Sequence, residues 1–288
     1  FKPIIYGSIA AKFSKIKSVI NAPVGMGYIF SSDSLKAFLL KPILKLLIIN
    51  FLNTHRGNNR KNKIIFENQD DLNYFISIGA INKIDSCLIR GAGVKLNKKV
   101  IFNRNNKIPF IAIVARMLKD KGVYEFVEAV KIIKNKNIPS RFILVGGIDK
   151  FNPSSIKKEE LQNWHDQGLV DWLGNIDHVD KILEKIDILC LPSYREGLPK
   201  ALLEGAANGL PLITTDTVGC RDVVVNDING YLVPVKDAKR LAFAMEKLIR
   251  NKKLRERMGK ESYRIVSTTF SSSIIIPQTL KIYDELCF

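Results

Sequence analysis

From Phe110 onward the chain alternates short apolar runs with helix-length amphipathic patterns, and this order limits the folds open to it. The strand candidates are Phe110 to Ala115, Arg141 to Val145, Val170 to Leu173, Asp187 to Leu191, Leu210 to Thr214 and Tyr231 to Val233. Helical patterns fill the gaps at Val123 to Lys134, Lys157 to Gln167, Val179 to Lys185, Lys200 to Asn208 and Ala238 to Arg250. A repeated βα order joins parallel strands by right-handed crossovers, so the expected fold class is α/β with a doubly wound parallel sheet. The last helical stretch, Ser272 to Leu286, lies beyond the repeat.

The densest part of this pattern is Leu189 to Asp222, LCLPSYREGLPKALLEGAANGLPLITTDTVGCRD. A buried-type strand ends at Pro192, and Pro199 suits the first turn of a helix, where its missing N–H is no loss. Ala201, Leu202, Leu203, Ala206 and Ala207 give that helix an apolar face, and Gly209 fits the position just past its end. Gly197 lets the backbone approach a ligand, and the free N–H groups of the helix form an anion site. Glu196 stands just before that site and Glu204 within the helix, so both can face one crevice. Two glutamates at this spacing are ordinarily solvated; here they bracket a strand, a turn and a helix.

SYREGLPKALLEGAANGLPLITTD resembles the E-x7-E signature of the retaining, nucleotide-sugar-dependent glycosyltransferases of family 4, which have the GT-B fold. The resemblance implies two Rossmann-like domains facing a cleft that holds the sugar nucleotide. It implies that Glu204 holds the ribose hydroxyls and that Glu196 lies near the donor sugar. The backbone from Gly197 through Leu198 and Pro199 to Lys200 would receive the diphosphate. The expected donor is a UDP-sugar, with no further cofactor.

A second constellation agrees. Ala115 to Gly122, ARMLKDKG, ends the first strand of the repeat and places Arg116 and Lys121 over the same crevice. A fixed guanidinium and a nearby ammonium stabilise the charge that develops on a departing diphosphate. The pair resembles the R-x4-K-G phosphate-binding pair of the same family. Gly146, in the loop after Val145, could approach the ligand, and a structural turn is an equal reading. No Asp-x-Asp motif is present and the histidines at 55, 165 and 178 are scattered, so no metal is expected.

Composition suits a globular protein with a proper core, at 46% apolar and 25% charged residues. Cysteines 87, 190, 220 and 287 show no metal-like spacing and read as reduced cytosolic thiols. Charge is uneven. Residues 1–108 carry 18 Lys and Arg against 5 Asp and Glu, out of a net +17 for the chain. Such a front half points to an anionic partner, a nucleic acid or an anionic membrane surface. The basic residues lack interleaved aromatic platforms, which disfavours nucleic acid. Leu35 to Leu52 is too interrupted by Lys36, Lys41, Pro42 and Lys45 to span a bilayer. It reads as an amphipathic helix on a membrane surface or on the sheet, and the basic tract His55 to Lys63 supports the former.

Gly25 and Gly27 form a tight loop after the strand candidate Lys17 to Asn21, on what the resemblance makes the acceptor side. Val24 stands where related enzymes commonly carry a catalytic-site histidine, which removes one expected contact. The domains expected are 1–105, 106–270 and a final helix, 271–288, crossing back to the first. The chain opens at Phe1 in mid-pattern, so the first domain is expected to be incomplete, lacking its opening strand and glycine-rich loop. The implied function is sugar transfer from a nucleotide donor to a hydroxyl, with a polyprenyl-diphosphate-linked saccharide as acceptor, at the inner face of the plasma membrane. The alternatives are a non-catalytic or inactive fragment that binds nucleotide sugar and a basic nucleic-acid-binding protein.

Overall fold

The computed structural model describes residues 2–25, 42, 45–46, 49, 61–97 and 100–287. Gly27 and almost all of Leu35 to Leu52 and His55 to Lys63 before Lys61 lie outside that set. The chain divides into two compact units, Phe1–Gly93 with Ser272–Phe288, and Val94–Ser271.

In the first unit α1 (Lys2–Phe13) leads to β1 (Ser18–Asn21), then β2 (Lys61–Phe66), α2 (Gln69–Ser77) and β3 (Ser86–Leu88). The three strands are parallel in the order β1-β2-β3. Asn68 caps α2: its side chain accepts the Asp71 N–H at 2.8 Å and donates to the Asp71 carboxylate at 3.0 Å. Ile64 and Phe66 pack with Leu72 and Phe75 of α2 on one face of β2. Ile65, on the other face, packs with Ile89 and with Ile275 of the last helix, Ser272–Cys287. That helix is further tied to the unit by the Ser18 hydroxyl, which donates to the Leu286 carbonyl at 2.8 Å.

The second unit runs β4 (Phe110–Val114), α3 (Val123–Asn135), β5 (Arg141–Val145), α4 (Lys158–Asp166), β6 (Asp171–Trp172), α5 (Val179–Leu183) and β7 (Ile188–Leu191). It continues with α6 (Lys200–Ala207), β8 (Leu212–Thr215), α7 (Cys220–Val223), β9 (Gly230–Val233), α8 (Ala238–Arg250) and α9 (Lys252–Thr269), so the last helix is α10. All six strands are parallel, in the order β6-β5-β4-β7-β8-β9. Alternate residues bury on opposite faces. Ile111 and Ile113 join Phe142, Leu144 and Ile188 under α3 and α8, while Ala112 joins Ile143, Leu189 and Leu212 under α6 and α9.

Two features depart from the sequence reading. Residues 94–105, expected in the first domain, fall in the second unit. Val94 is buried and its N–H donates to the Phe270 carbonyl at 2.8 Å. Arg104 donates to the Asn208 carbonyl at 2.9 Å, and Val100 and Phe102 lie against Gly209. The second feature is α9, at 18 residues the longest described helix, which the sequence reading did not mark. Its charge-rich sequence hides a sparse apolar stripe, although Asn251 caps it by accepting the Leu254 N–H at 3.0 Å.

Candidate active site

The strand order places one reversal of direction in the second unit, between β4 and β7. Chain connections run outward from this pair on either side, which leaves a crevice at the carboxyl ends of the two strands. Arg116 follows β4, and Glu196 follows β7.

After β4 the backbone stays against its neighbour: Ala115 N–H donates to Val145 and Met117 N–H to Gly147, both at 3.0 Å. Met117 and Leu118 are fully buried, while Arg116 and Lys119 on either side of them are exposed. A 3-10 turn, Lys119–Lys121, then brings Lys121 back to the sheet edge. Gly122 makes that return possible. Its φ is +73°, and a Cβ there would lie 2.0 Å from the Pro192 carbonyl oxygen.

The loop after β7 is held from several sides. Thr215 donates through its hydroxyl to the Ser193 carbonyl, and Thr217 to the Tyr194 carbonyl at 2.9 Å. Tyr194 N–H donates to the Asp120 carbonyl at 2.9 Å, and Glu196 N–H to Val218 at 3.1 Å. The Tyr194 hydroxyl donates to Glu125 at 2.7 Å. Burial, and then that hydrogen bond, push the phenol well above its ordinary range, so it stays a donor. Burial likewise pushes the Cys220 thiol behind the loop up to about 12.

These constraints fix the Glu196 carboxylate. Lys121 Nζ lies 2.6 and 2.8 Å from its two oxygens, and the Ser193 hydroxyl donates to it at 2.6 Å. The Lys121 and Glu196 side chains are 19% and 12% exposed, so the pair is largely shielded. Arg116 is different: it pairs with Asp149 at 2.6 Å but is 60% exposed. An exposed pair contributes only about 0–1 kcal/mol. The guanidinium can therefore exchange Asp149 for a ligand at little loss.

Arg116, Lys121, Glu196, Pro199 and Lys200 line one recess of about 180 Å³ at this crevice, with Val114, Ala115, Leu191 and Ala201. Pro199 caps α6 without a side-chain hydrogen bond, which leaves first-turn N–H groups for an anion. Glu204, one turn along α6, pairs with Lys200 at 3.3 Å and does not line this recess. Leu198 packs on the second core, and the Gly197 carbonyl lies where a side chain on Gly219 would strike it.

Gly146 is required by the sheet itself. Its φ is +145°, a Cβ would meet the Ala115 carbonyl, and its own carbonyl accepts from Trp172 at 3.1 Å. Gly25, with φ +65°, follows β1 in the first unit, and Val24 beside it is exposed. Sequence reasoning missed Ser193, Tyr194 and Asp149. Ser193 carried a signal, a hydroxyl three residues before Glu196 on a strand-ending loop. The partnership of Arg116 with Asp149 carried none. All four cysteines are free thiols, and no helix among the described residues is long and apolar enough to cross a membrane.

Six parallel strands with this crossover, and an anion-ready helix end at the point of reversal, define a doubly wound α/β unit with a ligand crevice at its switch point. Residues 94–265 match the family described as Glycosyl transferases group 1. The chain is 31% identical over 296 residues to the N,N'-diacetylbacillosaminyl-diphospho-undecaprenol alpha-1,3-N-acetylgalactosaminyltransferase of Campylobacter jejuni, covering 98% of this chain and 74% of that enzyme. Against the UDP-Gal:alpha-D-GlcNAc-diphosphoundecaprenol alpha-1,3-galactosyltransferase of Escherichia coli it is 33% identical over 144 residues, 49% of this chain and 36% of that one. Its fold is that of sucrose-phosphate synthase from Thermosynechococcus elongatus, with a TM-score of 0.81, 20% identity, and coverage of 97% of this chain and 70% of that one. The chain belongs to the group 1 glycosyl transferases and has the GT-B fold.

Proposed function

We propose that this glycosyltransferase moves a sugar from a UDP-sugar to a hydroxyl of a polyprenyl-diphosphate-linked saccharide, with retention at the anomeric carbon. The observation that carries this reading is the meeting of Arg116, Lys121, Glu196 and the start of α6 in one recess. Two cations and an uncapped helix end match the charge of a diphosphate leaving group. The named acceptors of the Campylobacter and Escherichia relatives, both diphospho-undecaprenol saccharides, support the acceptor class. The printed donor of the latter, UDP-Gal, supports the nucleotide.

In this reading Arg116 turns from Asp149 to the diphosphate, while Lys121 stays beside Glu196 and meets the same phosphates. Glu196, held on both oxygens, positions the donor sugar, and the Gly197-to-Lys200 backbone receives the phosphate oxygens. Glu204 accepts the ribose hydroxyls. At about 180 Å³ the recess is below the roughly 300–1,000 Å³ of a typical small-molecule pocket. It is therefore assigned to the diphosphate and donor sugar, not to the whole nucleotide. The acceptor hydroxyl attacks on the face the diphosphate leaves, and the departing phosphate takes its proton. No metal has a part in these steps. The basic first 108 residues draw the enzyme to an anionic membrane surface, where its lipid-linked acceptor resides.

Calorimetric titration with UDP, GDP and ADP, and with their sugars, tests the donor assignment. UDP and one or more UDP-sugars are expected to bind, with the affinity reduced in Arg116→Ala. Binding of no nucleotide by the wild type, or equal binding by the variant, would contradict it.

A further inference from the structure

Beside β9, the edge strand of the six-stranded sheet, the second unit carries a cavity of about 390 Å³. It shares no lining residue with the recess of Arg116 and Glu196. Its volume lies within the roughly 300–1,000 Å³ of small-molecule pockets. Tyr231 and Val233 of β9 form one wall, and Arg240, Phe243 and Lys247, spaced along one face of α8, form the other.

The chain's own loop closes the strand edge here. Asn226 accepts the Leu232 N–H through Oδ1 at 3.0 Å, and the Asp227 N–H donates to the Gly230 carbonyl at 2.9 Å. These backbone groups are not open to pairing with an added strand. Side chains must hold whatever the cavity takes.

The lining charges are unmatched. Both acids are engaged: Asp237 caps α8 by accepting the Arg240 N–H at 2.8 Å, and Asp227 accepts from the Asn226 amide at 2.8 Å. Among the described residues, neither the Arg240 guanidinium nor the Lys247 ammonium pairs with a carboxylate. Lys247 Nζ instead lies over two rings, 5.2 Å from the Tyr231 centroid and 4.7 Å from that of Phe243. Such contacts restrain an ammonium without neutralising it. Phe243 is itself 55% exposed, so the fold buries less than half of this ring.

We propose that this cavity binds a phosphorylated saccharide, with the phosphate between Arg240 and Lys247 and the sugar ring against Phe243 and Tyr231. A guanidinium fork grips two phosphate oxygens while the ammonium acts as a point charge. Each carboxylate offers about four lone-pair sites, so Asp227 and Asp237 keep acceptors for sugar hydroxyls. Free sugar phosphates and lipid-linked saccharides both carry the required group. The inference goes beyond the donor recess and does not depend on it.

Calorimetric titration of the whole chain tests it, with glucose 1-phosphate, inorganic phosphate, and N,N'-diacetylbacillosaminyl-diphospho-undecaprenol in micelles as probes. The proteins are wild type, Arg116→Ala, Phe243→Ala, and Arg240→Gln combined with Lys247→Met. Arg240, Phe243 and Lys247 are all exposed, so melting temperatures should hold. Wild type and Arg116→Ala should bind glucose 1-phosphate alike, and the double variant at least roughly tenfold more weakly. Phe243→Ala should lose affinity for glucose 1-phosphate and keep it for inorganic phosphate. A parallel loss of the lipid-linked saccharide in the double variant would identify that form as the occupant; a loss confined to glucose 1-phosphate would identify the free form. No binding of glucose 1-phosphate by wild type, or equal binding by the double variant, would overturn the proposal. Loss in Arg116→Ala alone would place the ligand in the donor recess and overturn it as well. Unchanged glucose 1-phosphate affinity in Phe243→Ala would reduce the cavity to an anion site and refute the saccharide.

Discussion

Lys121 and Glu196, 75 residues apart in sequence, meet through an ammonium that lies 2.6 and 2.8 Å from the two carboxylate oxygens. Lys121 lies in the turn after β4 and Glu196 in the loop after β7, the two strands that flank the reversal of the sheet. The pair thus joins the two halves of the second unit at the point where a sugar nucleotide is expected. Lys121→Met leaves the carboxylate with Ser193 as its remaining partner, and should destabilise the unit by about 1.5–3 kcal/mol. Lys121→Met combined with Glu196→Gln should recover part of that stability and none of the activity. Denaturant unfolding of the single and double variants, beside transfer rates, reads both quantities.

Arg116 is the more exposed cation, and its role is with the ligand. Arg116→Ala should leave stability within about 0.5 kcal/mol, as surface changes do. It should weaken UDP binding by roughly 1.5–3 kcal/mol, the range for a hydrogen bond to a charged group. Arg116→Lys should recover only a part, because an ammonium cannot grip two phosphate oxygens as a planar fork does. Calorimetric titration of UDP separates the three proteins.

Glu204 is assigned a different portion of the same ligand. Glu204→Gln should weaken UDP by about 1.5–3 kcal/mol while leaving inorganic pyrophosphate affinity unchanged. A parallel loss for pyrophosphate would place Glu204 at the phosphates and refute the ribose assignment.

Gly122 supports the site from beneath. In Gly122→Ala the new methyl group would stand 2.0 Å from the Pro192 carbonyl at a φ of +73°. The strain should lower stability by at least about 2 kcal/mol. For a unit of this size that is a fall in melting temperature of roughly 4–8 °C. Differential scanning calorimetry measures it.

Glu67 gives the first unit a pH signature. Folding strengthens its hold on a proton, so it contributes stability that is full below its ordinary value of 4.5 and is lost as pH rises through about 7. The melting temperature of wild type relative to Glu67→Gln should therefore fall across that window. A constant difference would show that folding does not perturb this carboxyl.

The second unit was the readable part of the chain. Its strands are buried on both faces and appear as unbroken apolar runs, while Pro192, Pro199 and Gly209 mark the ends of β7 and α6. Arg116, Lys121 and Glu196 were legible for the same reason, since each follows a strand the pattern had located. The strand order was not, because periodicity does not say which strands are neighbours. The direct bond between Lys121 and Glu196 was hidden with it. Residues 94–105 looked like part of the first domain because polar residues there bond to backbone carbonyls of the second unit, as Arg104 does with Asn208, and periodicity does not record that. Helix α9 escaped because its five buried positions, Arg255, Met258, Gly259, Ser262 and Val266, include three that are charged, small or polar.

The most direct measurement is the anomeric configuration of the product, by NMR, after incubation with UDP-sugars and a diphospho-undecaprenol saccharide. An α-linked sugar on the saccharide, with UDP released and the rate reduced in Arg116→Ala and Lys121→Met, is the expected result. A β-linked product would contradict retention, and transfer undiminished in both variants would contradict the assignment of the diphosphate to Arg116 and Lys121.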